Sequence, residues 1–168
     1  TARGTYSSIS LTSTVLGLTL LSCAGPTSDD AAVVNSVIFG NDKALQAFID
    51  AGGANGDVNK IRQVKTGAPL LVVAAGAGHT SVIEYLLTAG AKIDARDNDG
   101  ATSLYKAAEK GHDNVIEFLL NEAPLTCGVD EAQIETLMRY REDKYDGYTP
   151  LLIAAKRGHL NAMESLIA

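Results

Sequence analysis

The chain has 168 residues and a formal net charge of −6 at pH 7, which argues against a nucleic-acid binder, for which a basic face is expected. Glycine and alanine are plentiful and tryptophan is absent, so no large globular core is implied, and there is room for about four short repeating units and a leader. The two cysteines, Cys23 and Cys127, fit neither a metal spacing nor a disulfide framework, which leaves the redox compartment open.

Gly4 to Ser28 is a run of 25 residues without a charge, preceded by Arg3 and followed by Asp29 and Asp30. Three readings compete for it. An export signal is supplied by Arg3, the apolar stretch Val15 to Leu21, and the small residues Ser22-Cys23-Ala24. Leu20-Leu21-Ser22-Cys23 also resembles a bacterial lipoprotein box, with Cys23 as the acylated residue. A retained membrane helix is the third reading, because the run is long enough to cross roughly 30 Å of hydrocarbon. Its strongly apolar residues contribute roughly −2 to −4 kcal/mol of insertion before the serines and threonines are counted, which is marginal for a lone helix. Ser10, Ser13, Thr14 and Gly17, however, fall at i, i+3, i+4 and i+7, one small-residue face on which a second membrane helix packs. The missing initiator methionine suggests upstream processing, and Arg3 against Asp29 and Asp30 places the amino end on the positive-inside side. The membrane helix is the reading preferred.

Gly25-Pro26-Thr27-Ser28 reads as a linker. Ala31 to Phe39, stopped by Gly40, and Lys43 to Ala51, stopped by Gly52, then read as two short helices, with Ala44, Leu45, Phe48 and Ile49 on a buried stripe. Gly52-Gly53-Ala54-Asn55-Gly56 is glycine-rich but follows a helix rather than a strand, so it is not a phosphate-cradling loop.

From Gly67 one pattern is stated three times. Gly67-Ala-Pro-Leu-Leu-Val-Val-Ala-Ala-Gly-Ala-Gly78-His79 is followed 33 residues on by Gly100-Ala-Thr-Ser-Leu-Tyr-Lys-Ala-Ala-Glu-Lys-Gly111-His112, and later by Gly147-Tyr-Thr-Pro-Leu-Leu-Ile-Ala-Ala-Lys-Arg-Gly158-His159. In the first copy Leu70, Leu71, Ala74 and Ala75 recur at helical spacing, and Gly78 stops the helix. A second helix follows with Val82, Ile83, Leu86 and Leu87 on its stripe, echoed by Val115-Ile-Glu-Phe-Leu-Leu120 in the next copy. Ala95-Arg-Asp-Asn-Asp-Gly100 is rich in turn formers and reads as a protruding finger. A fixed period of this length, with two apolar helices per unit, marks a stacked repeat protein.

These residues resemble the ankyrin-repeat family. Its Thr-Pro-Leu-His phrase is met by Thr149-Pro150-Leu151-Leu152, by Thr102-Ser103-Leu104-Tyr105, and loosely by Pro69-Leu70-Leu71-Val72. The family's histidine is replaced by Val72, Tyr105 and Leu152, which makes that position more apolar. The resemblance covers Lys65 to the end and implies an all-α solenoid of about four repeats, preceded here by a single hydrophobic helix. It divides the chain into a hydrophobic segment and linker (1–28), a degenerate capping repeat (29–66), and ankyrin repeats (67–168).

The spacing of the last two copies is 47 residues rather than 33, and the extra residues fall within 125–144. Asp130 is placed to cap a helix carrying Ile134, Leu137 and Met138, so an inserted helix is expected, emerging near the finger side. The last repeat breaks off at Ala168 inside its second helix, from which either further repeats or a covering partner are expected.

No catalytic constellation emerges. His79, His112 and His159 occupy the same post-helical place in each repeat and read as structural, and Asp97 and Asp99 serve turn geometry. No cofactor and no metal are expected. What remains is a surface for a protein partner. The resemblance implies that it is the concave face, which maps onto Lys65, Thr66 and Ala68 with Gly76 and Ala77, onto Asn98, Asp99 and Ala101 with Glu109 and Lys110, and onto Tyr145, Asp146 and Tyr148 with Lys156 and Arg157. The function expected is a non-catalytic interaction module, an accessory or scaffold subunit tethered to a membrane complex through residues 4–28, on an organellar membrane such as a thylakoid or mitochondrial inner membrane. The alternative is an exported or lipidated ankyrin protein with a periplasmic or lumenal partner.

Overall fold

Glycines just past the first helix of each unit set the architecture. The structure, a computed structural model, describes residues 26–51, 57–63, 65–139, 141 and 147–168, with the backbone alone for 26–30. The expected membrane-helix face of Ser10, Ser13, Thr14 and Gly17 lies outside these residues, as do Tyr145 and Asp146. The described residues are helical apart from turns and one isolated antiparallel bridge between Arg62 and Pro69.

Four first helices stack side by side: α1 (Pro26–Ile38), α3 (Leu70–Ala77), α5 (Ser103–Lys110) and α9 (Pro150–Arg157). Three of them end on a glycine in the left-handed conformation, Gly78, Gly111 and Gly158, with φ of 83°, 76° and 77°. The chain then turns into the second helix of its pair, α2 (Asp42–Asp50), α4 (Thr80–Thr88), α6 (Asp113–Glu117) and α10 (Leu160–Ile167). Ala74, Ala75, Ala107 and Ala108 are fully buried where the first helices meet, because a methyl group is all that fits between backbones packed this closely. Val82, Ile83, Leu86, Val115, Ile116 and Leu119 form the second layer of the core.

The caps explain one irregularity among the repeats. Thr102 Oγ1 and Thr149 Oγ1 accept the N–H of Tyr105 and Leu152, each at 3.3 Å, which satisfies a free donor of the helix start. Pro69 stands at the same place before α3 and makes no side-chain cap.

Two expectations are corrected. The linker at residues 25–28 gives way to helix at Pro26, since proline is pre-organised for the first helical position, and α1 runs on to Ile38. In the third unit the second helix does not stop where the echo of α4 ends: α6 continues as a π-helical turn (Phe118–Glu122) into α7 (Ala123–Thr126). Pro124 is the reason, because it has no N–H for the carbonyl of Leu120 and its ring would collide with it in a regular α-helix. Leu152 stands where Val72 and Tyr105 are buried and is itself 50% exposed. No further helix pair packs over α9 among the described residues.

The helix α8 (Glu131–Arg139) buries Ile134 and Leu137 against α5 and α9, while Met138 stays exposed.

Candidate partner-binding groove

The turn before each first helix rises over that helix, and the angle between them is a groove. In the turn before α5, Asp97 is buried, and its Oδ1 accepts the N–H groups of Asp99 (3.0 Å) and Ala101 (2.8 Å). The backbone closes around it, with Gly100 N–H to Asp97 O at 3.1 Å and Asp97 N–H to Ala101 O at 3.1 Å. Asn98 N–H donates to Thr66 O of the preceding turn at 3.0 Å, and Arg62 Nη1 donates to Gly67 O (2.9 Å) and Arg96 O (3.1 Å). Successive turns are thus tied into one ridge.

Under that ridge lies a groove of about 610 Å³. Its floor is small and apolar, from Ala68, Val73, Gly76 and Ala77, with Ile38 at one end. Its far wall is charged, from Asp99, Lys106, Glu109 and Lys110. Register explains the contrast: Gly76 and Ala77 of α3 stand where α5 has Glu109 and Lys110, so the space that side chains fill in the third repeat is open in the second.

The charges are organised around Glu109. Lys106 Nζ lies 3.3 Å from Glu109 Oε2 and 3.8 Å from Asp97 Oδ2, and Arg157 Nη2 donates to Glu109 Oε1 at 2.9 Å from the next repeat. Partial burial pushes the Glu109 carboxyl up, but the charge and hydrogen bond of Lys106, the hydrogen bond of Arg157 and the charge of Lys110 together outweigh it, and the group sits below the usual carboxylate range. Pairs this open to water contribute at most about 1 kcal/mol each, so their main effect is to fix where charge is presented. Lys156 Nζ sits 4.2 Å from the ring centre of Tyr148.

The residues singled out from sequence are thus distributed unevenly. Thr66, Ala68, Gly76, Ala77, Asp99, Glu109 and Lys110 come together in the groove. Lys65 lies on the rim of an adjoining depression, Asn98 is exposed on the ridge, and Ala101 is buried beneath it. Lys156, Arg157 and Tyr148 continue the surface one repeat along. Sequence reasoning missed Ile38, Gln63, Val72, Val73, Asp97 and Lys106 as lining residues. Lys106 was recoverable, since Lys106, Glu109 and Lys110 at i, i+3 and i+4 share one helix face.

The three post-helical histidines do not enter the groove. Each reaches back to the preceding first helix, with His79 Nε2 at 2.9 Å from Ile38 O, His112 Nε2 at 3.2 Å from Gly76 O and His159 Nε2 at 3.1 Å from Glu109 O. All three act in the same structural role.

Sequence profiles decide the family. The profile described as "Ankyrin repeats (3 copies)" matches residues 32–131, and a second, "Ankyrin repeat", matches residues 146–168. The chain belongs to the ankyrin-repeat family. The first ankyrin match begins inside α1, so it takes in the degenerate first helix pair, and the gap before the second match contains α8 apart from its first residue. No curated protein matches the chain. Membership carries the role of a protein–protein interaction module, and with it the implication of protein partners.

Proposed function

We propose that the protein is a non-catalytic scaffold whose partner seats in the groove between the turn ridge and the first helices. The observation that carries this reading is the substitution of Gly76 and Ala77 for the Glu and Lys of the next repeat, which opens an apolar floor beside a charged wall. Concave, mostly apolar sites with a few convergent polar groups are where binding energy concentrates. The site residues assigned are Thr66, Asp99, Glu109 and Lys110 inside the groove, Lys65 and Asn98 on its margin, and Tyr148, Lys156 and Arg157 beyond it. The test is retention of proteins from a native extract on the full chain, compared with Ala77→Trp, which fills the groove, and Glu84→Trp on the exposed face of α4. Loss with the first variant and retention with the second supports the groove. Equal retention with both overturns it.

The finer proposal is that residues 4–28 dock this scaffold on a membrane complex as an accessory subunit. Its support is the sequence: 25 consecutive residues without a charge, more than the roughly 20 that a membrane-crossing helix needs. Among the described residues no helix is long and apolar enough to cross a membrane. Alkaline carbonate extraction with intact-mass analysis tests it. A pelleted protein that retains these residues agrees with anchoring, whereas a washed-off protein, or one beginning near Gly25, selects the exported binder, and a lipid-sized increment on Cys23 selects the lipoprotein.

A further inference from the structure

Ile38 and Gln63 line two depressions at once. One is the groove described above. The other, of about 250 Å³, runs beside α1, with Ala31, Val34 and Ile38 as its apolar side and Arg62 and Lys65 above them. The two form one trough along the first three repeats.

Its chemistry changes along its length in a definite order. The middle is apolar, from Val34 and Ile38 through Val73 to Ala77. Phe39, which register places one repeat before Ala77, adds an aromatic ring that is 79% exposed. Cations stand at both ends, Arg62 and Lys65 at one and Lys106 and Lys110 at the other, with Lys156 and Arg157 in the following repeat. The carboxylates among them are largely committed: Asp97 to two backbone N–H groups and Lys106, Glu109 to Lys106 and Arg157. Lys106 and Arg157 are in turn taken up by these two carboxylates, so among the described residues of this strip the positive excess rests on Arg62, Lys65, Lys110 and Lys156 against Asp99, within a chain whose net charge is −6. The sign of the trough is opposite to that of the molecule.

Resting on the reading that this groove binds protein, we propose that its partner is an extended protein segment in which a large aliphatic or aromatic side chain is flanked on both sides by Asp or Glu. The apolar side chain seats on Ile38, Val73 and Ala77. The flanking carboxylates meet Arg62 and Lys65 on one side and Lys110 on the other. Burying one such side chain contributes most of the affinity, while the charges at each end set orientation and speed encounter. A nucleic acid fits worse, because its continuous line of phosphates would also run over the apolar floor between the two sets of cations. A lipid headgroup would leave the apolar floor uncovered.

The test is selection of a random dodecapeptide phage library on the full 168-residue chain at about 50 mM salt, a condition of weak screening, followed by titration of the selected peptides. Enriched sequences should carry an apolar residue with Asp or Glu on both sides. Their affinity should fall at least tenfold with Lys110→Glu and with Ala77→Trp, remain unchanged with Glu84→Arg, and weaken several-fold at 500 mM salt. Peptides that lose binding with Ala77→Trp, yet carry no acidic residues and ignore Lys110→Glu, overturn this partner chemistry and leave the protein-binding groove standing. Selected peptides indifferent to both variants overturn the groove itself. The partner chemistry also falls if no motif is enriched, or if phosphatidylserine vesicles or single-stranded RNA bind with the same dependence on Lys110.

Discussion

The imidazole of His112 lies directly against Gly78, so that a Cβ on the glycine would stand 2.8 Å from its Nδ1 while its Nε2 lies 3.2 Å from Gly76 O. The same pairing joins His79 to Gly40 and His159 to Gly111. Gly40, Gly78 and Gly111 are thus each also the seat of the next repeat's histidine, and two features that look independent in the sequence form one contact between neighbours. His112→Ala removes a hydrogen bond and the packing of the ring, and is expected to lower stability by about 1–2 kcal/mol. Urea denaturation measures it, and an unchanged midpoint would contradict the role.

Gly111 and Gly158 separate backbone strain from crowding. Both have positive φ, but a Cβ on Gly111 would meet the ring of His159 at 2.6 Å, whereas a Cβ on Gly158 meets nothing within 4 Å. Gly158→Ala should cost only the left-handed conformation, about 1–2 kcal/mol. Gly111→Ala should cost measurably more by the same denaturation, because the histidine must move as well.

Gly76 is the opposite case. It sits inside α3 in helical conformation, and a Cβ there would stand 3.8 Å from Lys106 Cβ, an ordinary contact. Gly76→Ala should therefore stabilise the protein by about 0.5–1 kcal/mol. It narrows the groove floor by one methyl group, so weaker partner binding accompanying higher stability would mark the glycine as kept for the groove.

Glu109 makes the junction of the third and fourth repeats acid-sensitive. Its pKa is held below the usual carboxylate value despite partial burial, by Lys106, Arg157 and Lys110. A group whose folded pKa is depressed contributes stability that is fully present above its unfolded pKa and is lost as pH falls through the folded one. Stability should therefore decline from about pH 4 downward, near the ordinary Glu value and below it. Glu109→Gln removes the titrating charge and keeps one acceptor oxygen, for either Lys106 or Arg157, so it should flatten that part of a stability–pH profile, and an unaltered acid limb would show that Glu109 does not contribute to it.

The repeat period, the alanine pairs and the glycine stops made the solenoid legible, because each is a local signal repeated at fixed spacing. The groove was legible only in part. Glu109 and Lys110 were found through their place in the repeat, but Lys106, one turn earlier on the same helix face, and Val73, its counterpart on α3, were not, and neither was Ile38, whose unit lacks the alanine pair that fixes register elsewhere. Leu152 shows the limit of carrying a pattern across units: it occupies the buried position of Val72 and Tyr105, yet burial depends on a neighbouring helix pair that local sequence does not encode. The π-turn at Phe118–Glu122 follows from Pro124, a residue to which the repeat pattern assigns no role.

Photo-cross-linking tests the central claim most directly. Benzoylphenylalanine placed at Ala77 in the groove, or at Glu84 on the exposed face of α4, is irradiated in native extract and the adducts are resolved by mass. The groove reading predicts a discrete protein adduct from position 77 and none of that mass from position 84. The same adduct from both positions, or from position 84 alone, would contradict it.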